Sequence, residues 1–453
     1  MEINSGNTAW MLVASGLVLL MTPGLGFFYG GLTRSKNVLA TIMQSFICIS
    51  IVGILWVLVG YSLAFGPDHF GLIGDFSWFG LKGVGGAPGG PNGAYYGVGI
   101  PHVLFMAFQM MFAIITPALI TGAFAERAKF GPFLVFIALW SLLVYVPVAH
   151  WVFAYDGWLS AFSSGSVPHP GFHALDFAGG IAIHVSAGTA ALASVLVFGR
   201  RKGYGEQPME PHDVTMVILG TALLWFGWFG FNAGSAGGAT SQAAYAFVNT
   251  SVSGAAAALV WAMLSWRHSG RPSALGATAG AVAGLAAITP ASGYVEPMEA
   301  LFIGLVAGAI CYYAVRFRSR SSLDDSLDVV GVHGVGGMWG SLATGLFATA
   351  SVSGIGFANG LFHGHAGQMV DQTVAVVAVG LFSFVATFVI LKVLDAVWGI
   401  RVNESEEEIG LDISQHGERA YAGDEGGVAL TPGMVLPAPP AQYLSLSTPE
   451  IRS

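Results

Sequence analysis

Charged residues are scarce in this sequence. Only 9% of its 453 residues are Asp, Glu, Lys or Arg, whereas a soluble domain carries about 25%, and 54% are hydrophobic. The two cysteines, Cys48 and Cys311, lie in separate apolar runs, which argues against a disulfide framework and against a cysteine metal site. Residues 1–9 hold no Lys or Arg, so we expect no cleaved signal peptide. The composition is that of an integral membrane protein, and its apolar runs have the length of helices.

Eleven apolar segments are long enough to span a bilayer as helices. They cover residues 8–32, 38–65, 100–124, 132–153, 176–198, 213–233, 241–266, 272–290, 294–317, 328–348 and 371–397. The 64 glycines, many of them beside Ala or Ser, favour close helix packing in lipid. The sequence therefore predicts an all-α membrane domain over residues 1–398 with eleven transmembrane helices.

The basic residues predict the orientation of these helices. Nearly all fall in connections on one side, and only Lys82 falls on the other. The residues on the basic side are Arg34, Lys36, Arg127, Lys129, Arg200, Arg201, Lys202, Arg267, Arg271, Arg316, Arg318, Arg320 and Arg401. The positive-inside rule places that side in the cytoplasm. An odd number of spans then places the N-terminus outside and the C-terminus inside, and we expect a prokaryotic inner membrane.

An acid and a histidine occur in the apolar stretch DFAGGIAIHVSAG, as Asp176 and His184, and again in DVVGVHGVGGMWG, as Asp328 and His333. Ionisable groups at membrane depth are costly and usually face a protein interior or a water-filled path. A single such histidine often does no more than bond to a packing neighbour. Two of them in similar contexts indicate a conduit between two related halves, although the acid-to-histidine spacing is eight residues in one and five in the other.

The positions of the two histidine helices predict an internal repeat. They are the fifth and the tenth span, so each would close a five-helix half. Five is odd, so the halves would be inverted relative to one another, as in many transporters. The eleventh span is left over as an outer brace.

Aromatic residues surround a small polar group in the stretch WFGWFGFNAGSAG. Trp228 and Phe231 precede Asn232 and Ser235 there. The rings offer cation–π attraction and the serine hydroxyl accepts an N–H bond, which suits a small cation. The alternative is an aromatic belt at the membrane surface. A second aromatic pair, four residues apart in FQMMFAIIT, is typical of core packing by its spacing alone.

Seven blocks along the chain resemble the ammonium transporter family, the Amt/MEP branch of the Amt/Mep/Rh superfamily. They are TPGLGFFYGGLTRSKN, FAERAKF, HALDFAGGIAIH, GWFGFNAGSAG, AFVNT, GVHGVGGMWG and GLDISQHGERAY. The resemblance runs over residues 8–421 and is closer to the bacterial and archaeal members than to Rh glycoproteins. It implies a homotrimer in the lipid bilayer, each subunit with its own narrow apolar pore, and neither a cofactor nor a nucleic-acid partner.

The resemblance also implies an outer site and a gate. Phe108, Phe153 and Ser235 match the family's outer ammonium site, and Phe112 and Phe231 match the paired rings beneath it. One position departs from the pattern, because many members have Trp where this chain has Phe153. Phenylalanine is the weaker cation–π partner, so recruitment is expected to be weaker unless a nearby tryptophan compensates. The nearby candidates are Trp151 and Trp158.

Deeper in the pore, the resemblance assigns four residues. His184 and His333 match the family's twin histidines, Trp228 matches its pore-lining tryptophan, and Asp176 matches an acid near the outer site. That acid would help ammonium recruitment, proton removal or local structure. The histidines would line a path for ammonia or relay a proton.

The polar segment 399–421 resembles the family's regulatory C-terminus. Its matching residues are Gly399, Arg401, Asp412, Gly417, Glu418 and Tyr421. In the family this segment couples subunits, and a P-II-type signalling protein can plug the inner mouth. Residues 422–453, with the Pro-rich TPGMVLPAPP, are expected to be disordered.

Together these features predict a transporter rather than an enzyme. Ammonium, or methylammonium, would be captured outside and deprotonated, and ammonia would pass the histidines while its proton takes a separate path. Three alternatives stay open: an ammonium sensor with a signalling partner, a passive channel for ammonia or another neutral gas, and an intramembrane metalloenzyme. The last lacks an HExxH motif or a third ligand. Four further histidines are expected at the surface without metal: His169, His173, His363 and His365.

Overall fold

The protein is almost entirely helical in a computed structural model that describes residues 2–91, 96–161, 171–354, 356 and 358–421. The first five helices are α1 Ser5–Leu32, α2 Ser35–Phe65, α3 His102–Phe124, α4 Phe130–Phe153 and α5 Gly180–Phe198. The next five are α6 Val214–Gly234, α7 Ser241–Ser269, α8 Ala274–Ile288, α9 Pro297–Arg318, and α10, formed by Val330–Gly334 and Val335–Phe347. The last are α11 Gly367–Trp398, α12 Glu404–Ile409 and α13 Asp412–His416.

Minor elements lie in the connections. Strands β1 Asp68–His69 and β2 Ile73–Gly74 form an antiparallel hairpin after α2. Short helical turns cover Phe79–Leu81, Ala350–Ser353 and Leu361–His363. Among the described residues, then, regular structure outside the helices is confined to this two-stranded hairpin and isolated bridges.

The predicted all-helical membrane architecture is confirmed. Helices α1 to α11 coincide with the eleven predicted segments. Nine helices in the described ranges are long and apolar enough to cross a membrane, while α8 is shorter and α10 is not among the nine. The number of spans therefore stays a prediction.

Glycines let the helices approach closely, as small residues do in lipid. Along the contact of α1 with α6, an added Cβ at Gly220 would overlap the backbone of Phe28, and one at Gly230 would lie 2.6 Å from Leu17 Cβ. Helix α5 packs in a similar way on α10. Two inverted five-helix halves would relate α1 to α6 and α5 to α10. Helix α11 packs on α5. This packing agrees with the predicted repeat and brace.

The polar segment after α11 docks on the loops at the basic end of the same chain. Arg401 donates to the carbonyl of Phe198 (2.9 Å) and to Glu407 (2.8 Å). Asp412 accepts from the backbone N–H groups of Leu39 (3.0 Å) and Ala40 (2.8 Å), at the start of the regular α-helical part of α2. These bonds join the tail to the end of α5 and to the first part of α2.

Glycine and tyrosine complete this arrangement. Gly399 and Gly417 both have φ of 69°, in the left-handed region that favours glycine, and they turn the chain out of α11 and α13. The N–H of Glu418 donates to the carbonyl of Asp412 (3.1 Å), and the Tyr421 hydroxyl lies 3.1 Å from His212 Nε2. The six tail residues singled out by the sequence thus all lie in one docked segment, whereas the predicted disorder of residues 422–453 falls outside the described residues.

Candidate functional site

Two buried histidines meet at the centre of the helix bundle. The rings of His184 and His333 are stacked, with centroids 5.2 Å apart and planes 16° from parallel. Their Nδ1 atoms lie 3.2 Å from each other, and only 1% of His184 and 3% of His333 is exposed. A hydrogen bond between two Nδ1 atoms needs one ring to donate and the other to accept, so the pair shares one proton at this contact.

Each histidine occupies a π-helical turn at the opening of its helix. His184 lies in Gly180–Val185 of α5, and His333 lies in Val330–Gly334 of α10. Such turns are rare in proteins as a whole, and those that occur are often found at functional sites. Irregular backbone at membrane depth is tolerated where the protein itself satisfies the polar groups.

Glycines bring the two histidine helices together. A Cβ added to Gly188 would overlap the backbone of Gly334, and one added to Gly337 would lie 2.7 Å from the Cβ of His184. The small-residue character of both stretches is visible in the sequence. Which glycine meets which is decided only by the crossing of α5 and α10.

A ladder of aromatic rings leads to the histidine pair from the end opposite the basic loops. Phe108 and Phe112 of α3 are 4.8 Å apart between centroids, and Phe112 lies 4.4 Å from Phe231 of α6. His184 follows, 6.2 Å from Phe231 and 5.6 Å from Trp228. Phe112 and Phe231 are both buried, and their rings contact each other.

A narrow apolar cavity lies beside the histidines. It has about 10 Å³ of space open to the centre of a water-sized molecule, roughly the minimum that holds one water. His184, Trp228, Phe231 and His333 line it together with aliphatic side chains. The Nε2 atom of His184 is buried and has no hydrogen-bond partner in the described part of the chain. Trp228 presents its ring because its Nε1 is held by Thr289 Oγ1 at 2.9 Å.

The two ring nitrogens therefore have different environments. One edge of each ring is used by the Nδ1 contact between the histidines, whereas the Nε2 edge of His184 is left unpaired beside the cavity. An unpaired buried polar atom costs free energy, so it marks a place where a small polar molecule would bind favourably.

Asp176 caps the helix that carries His184. Its carboxylate accepts four backbone N–H bonds, from Gly179 (2.9 Å), Gly180 (2.6 Å), Ile181 (2.9 Å) and Ala182 (3.0 Å). The first N–H groups of a helix have no partner within it, and a negative charge is favoured at that end. The acid is 2% exposed, and both of its oxygens are occupied by the backbone.

The three predicted outer-site residues lie towards the end opposite the basic loops: Phe108 is in the second turn of α3, whereas Phe153 and Ser235 are at the ends of α4 and α6. Ser235 follows α6, is partly exposed, and donates its hydroxyl proton to the carbonyl of Phe231 (2.8 Å). The residue before it, Gly234, packs against Phe108, because a Cβ at Gly234 would lie 2.7 Å from that ring. Phe153 ends α4, is partly exposed, and packs on the apolar core.

The two neighbouring tryptophans make other contacts. Trp151 lies 4.7 Å from Phe382 of α11 and donates from Nε1 to the carbonyl of Leu72 (2.9 Å). Trp158 lies 5.6 Å from Trp151 and 6.4 Å from Phe172. Among the described residues, neither makes a ring contact with the outer-site phenylalanines. Their predicted compensation for Phe153 gains no support from this packing.

A wide cavity opens at the basic end, which we call the vestibule. Its volume is about 630 Å³, and its wall includes Tyr29, Arg201, Arg318, Asp328 and His333. Since His333 also lines the narrow cavity, the two spaces adjoin at this ring. The path is therefore tight on the ring-ladder side of the histidines and wide on the basic side.

A buried ion-pair network, which sequence reasoning missed, holds the loops around the vestibule. Glu126 binds Arg34 (Nε to Oε2, 2.8 Å) and Arg201 (3.4 Å), and Arg201 also binds Asp324 (2.8 Å), which lies 3.8 Å from Arg127. Burial works against the charged form of Glu126, but Arg201 and Arg34 outweigh it and hold the pKa of that carboxyl below its usual range. The only sequence signal was the unusual FAERAKF block between two apolar segments.

Asp328, the acid that the sequence pairs with His333, has a different partner. It accepts from Arg318 Nε at 2.9 Å and lies on the vestibule wall. The acid that bonds to the opening of α10 is Asp325, which accepts from the backbone N–H of Val330 at 2.8 Å. Asp325 and Asp328 both lie within eight residues before His333, and the sequence alone does not show which of them bonds to the helix.

Of the four histidines predicted to lie at the surface, His173, His363 and His365 are exposed, whereas His169 lies outside the described residues. In the part of the chain that the structure describes, no three His, Cys, Asp or Glu side chains are grouped as metal ligands would be.

The sequence matches a family model described as the Ammonium Transporter Family over residues 9–421. The chain belongs to the ammonium transporter family. It is 49% identical over 417 residues to an ammonium transporter of Bacillus subtilis, covering 92% of this chain and 98% of that protein. It is 45% identical over 419 residues to ammonium transporter Amt1 of Archaeoglobus fulgidus, covering 92% and 100%.

Solved structures agree with this membership of the ammonium transporter family. The structure of Saccharomyces cerevisiae Mep2 superposes with a TM-score of 0.83 at 36% identity, over 94% of this chain and 93% of that one. A protein described as a sensor Amt protein superposes with a TM-score of 0.78 at 28% identity, over 91% and 98%. The predicted family is confirmed, and with it an integral membrane transporter rather than an enzyme.

Proposed function

We propose that this ammonium transporter binds NH₄⁺ at the outer aromatic site, removes its proton and conducts NH₃ past His184 and His333. The observation that carries the proposal is the stacked histidine pair beside an apolar cavity of about 10 Å³, with the buried His184 Nε2 unpaired. Such a cavity suits one small neutral molecule with a lone pair and N–H groups.

Desolvation explains why the cation is deprotonated first. Moving an unpaired charge into an apolar site costs many kcal/mol of desolvation free energy. The desolvation of neutral ammonia costs only as much as that of a small polar group. In the proposed step one N–H bond of ammonium breaks, its electron pair stays on nitrogen as the lone pair of NH₃, and the proton passes to a protein base. The proton moves inward by a route separate from that of ammonia, which starts near Asp176 and uses the histidine pair as a relay, so each ammonium carries one net charge.

The tautomers of the pair fit this role. The ring that donates from Nδ1 leaves a bare Nε2 that accepts, and the ring that accepts at Nδ1 carries its proton on Nε2 and donates. Ammonia both donates and accepts, so the two Nε2 edges offer it complementary partners in succession. Because one proton is shared at 3.2 Å, the two rings titrate as a unit.

The outer residues supply the cation step. The Ser235 hydroxyl donates its proton to the Phe231 carbonyl, so its lone pairs are available to an ammonium N–H. Phe108 and Phe153 would offer ring faces to the cation. Potassium has no proton to lose, so it would pay the full dehydration cost in a path with few oxygen ligands.

The assembly and the location follow the family. We infer a homotrimer in a prokaryotic inner membrane, with the N-terminus outside and the vestibule in the cytoplasm, since the basic loops surround it. A P-II-type protein would act at this face, where the vestibule and the docked segment 399–421 lie together. The P-II partner would make residues 399–421 a regulatory segment distinct from the transport domain 1–398.

An ammonium sensor is the second candidate function. The observation that favours it is the likeness to the sensor Amt protein over 91% of this chain. A sensor would bind ammonium without carrying charge at a transport rate. A passive channel for ammonia would conduct without charge movement as well, and would be insensitive to removal of the proton path.

The deciding experiment is the current produced by purified protein in liposomes on a solid-supported membrane after an ammonium pulse. We expect a saturable current with ammonium, none with potassium, and its loss in His184→Ala and His333→Ala. Ammonium binding without a current would contradict electrogenic transport and favour the sensor. Ammonia flux without a current, followed by a pH dye inside the liposome, would favour the passive channel.

A further inference from the structure

One buried acid at the basic end has an unused oxygen. Asp325 is 1% exposed, and its Oδ2 accepts the backbone N–H of Val330 at 2.8 Å. Its Oδ1 is buried and has no hydrogen-bond partner among the described residues. A buried carboxylate oxygen without a donor is costly, which is a reason to look for a proton or a water that it would hold.

Asp325 occupies the same place in its half of the chain as Asp176 does in the other. Each acid precedes its histidine by eight residues, since 184 − 176 and 333 − 325 are both eight. Each accepts backbone N–H bonds at the opening of a helix that begins with a π-helical turn. Asp328, at a spacing of five, is bound to Arg318 instead.

The two acids differ in how many of their carboxylate oxygens accept a hydrogen bond. Both oxygens of Asp176 are filled by four backbone N–H groups, whereas Asp325 uses one oxygen for Val330 and leaves the other unpaired. Of these two capping acids, therefore, Asp325 is the one with a buried oxygen that has no donor among the described residues and is available to a proton.

The surroundings of Asp325 set its proton affinity. The charged and titratable groups facing it are Tyr29 from α1, Arg318 from α9 and Asp328 in its own loop. Burial, together with the like charge of Asp328, raises the pKa of Asp325 to about 7, against the opposite effect of Arg318. An acid with this affinity both takes up and releases protons near neutral pH.

We propose that Asp325 receives the proton that leaves the histidine pair on the basic side and hands it to the vestibule. This rests on the proposed function. The N–H bond of a protonated His333 breaks, and the electron pair stays on its nitrogen. By way of vestibule water an O–H bond forms at Asp325 Oδ1. That bond then breaks, the proton leaves on water, and the carboxylate is restored.

The geometry supports this transfer at both ends. His333 lies on the vestibule wall, and so do Ser326 and Asp328, which flank Asp325 in the chain. The Asp325 carboxyl is itself buried, with 1% of the residue exposed, and is not among the residues that line the vestibule. A buried acceptor next to the vestibule residues Ser326 and Asp328 is able to hold a proton briefly away from bulk solvent.

The first test compares Asp325→Asn with Asp328→Asn in the liposome current assay. Asparagine keeps the shape and an acceptor for Val330, but it takes up no proton. We expect Asp325→Asn to lower the ammonium current about tenfold or more, as removal of a proton-transfer group does. Asp328→Asn removes the same charge from the neighbouring loop position and should keep most of the current.

The second test is the dependence of the inward current on the pH inside the liposome. Below about pH 7 Asp325 is already protonated and no longer accepts, so the wild-type current should fall. Asp328→Asn removes a like charge and leaves Arg318 unpaired nearby, and both changes lower the proton affinity of Asp325. The inner pH of half-maximal current should therefore move to a more acidic value, which a purely structural role would not produce.

The outcomes separate this proposal from the function on which it rests. If the wild-type current is lost in His184→Ala but persists in Asp325→Asn, the role of Asp325 alone is overturned. If wild type carries no current, electrogenic transport fails, and this step with it. If Asp325→Asn does not assemble, Asp325→Glu decides: a shifted pH midpoint supports the proposal and an unshifted one overturns it.

Discussion

The two histidine helices are built alike, but their capping acids are used differently. At the start of α5, the two oxygens of Asp176 accept hydrogen bonds from four backbone N–H groups. At the start of α10, one oxygen of Asp325 accepts the backbone N–H of Val330, and the other is buried without a partner among the described residues. The capacity of a buried acid to take up a proton therefore depends on how many hydrogen bonds its carboxylate already accepts.

The spaces on the two sides of the histidine pair differ in width. Towards the end opposite the basic loops, the rings of Phe112 and Phe231 pack against each other with centroids 4.4 Å apart. Towards the basic end the space opens into the vestibule of about 630 Å³. A tight apolar space on one side of the histidines and a wide space with charged walls on the other agree with the proposed loss of charge before the histidines and its return after them.

Removing the two carboxylates in turn is the sharpest test of this comparison. Asp176→Asn places an amide NH₂ against backbone N–H groups and leaves two of them without an acceptor, at about 1–3 kcal/mol each. Asp325→Asn keeps its one backbone bond, so its cost should be about 1 kcal/mol or less. Thermal unfolding in detergent should show a much larger drop for Asp176→Asn, and equal drops would contradict the difference between the caps.

The crossing of the two helices should also respond unequally. A Cβ at Gly188 would overlap the backbone of Gly334, whereas a Cβ at Gly334 comes no closer than 3.4 Å to Gly188. Gly188→Ala should therefore cost about 1–3 kcal/mol by overpacking and separate the histidines, while Gly334→Ala serves as the control. Stability and ammonium current measured together would check this, and a neutral Gly188→Ala would argue against the close crossing.

Restoring tryptophan at the outer end should strengthen cation capture. Phe153→Trp adds the stronger cation–π face, worth about 0.5–1 kcal/mol at a partly exposed site, or a few-fold lower half-saturating ammonium concentration. The concentration dependence of the current is the measurement, and Phe226→Trp on the exposed face of α6 is the control. If both variants behave like wild type, Phe153 does not contribute a ring to the site.

The smallest effect is expected in the docked tail. Tyr421→Phe removes the hydroxyl that lies 3.1 Å from His212 Nε2, while the ring contact at 5.7 Å remains. The loss should be about 1 kcal/mol or less in the docking of residues 399–421, with no change in the ammonium current of the isolated protein. Limited proteolysis of the tail, compared with wild type, measures the docking. A large loss of current would instead tie this contact to the pore.

Much of the fold was predictable because membrane insertion is decided locally. About 20 consecutive apolar residues suffice to predict a spanning helix, and all eleven predicted segments are helical in the structure. Asp176, His184 and His333 also stood out locally, since ionisable residues are rare in such segments. The family followed from blocks of specific sequence rather than from composition, and the comparisons confirmed it.

What the sequence by itself determined, then, is that the chain is helical, lies in a membrane, belongs to the ammonium transporter family and carries two unusual histidines. The tertiary structure alone decided that these histidines, 149 residues apart, share a hydrogen bond, and that Asp325 rather than Asp328 bonds to the second histidine helix. The physical reason is range. Helix formation in lipid depends on neighbouring residues, whereas the state of a buried polar atom depends on which distant backbone or side chain comes within about 3 Å of it.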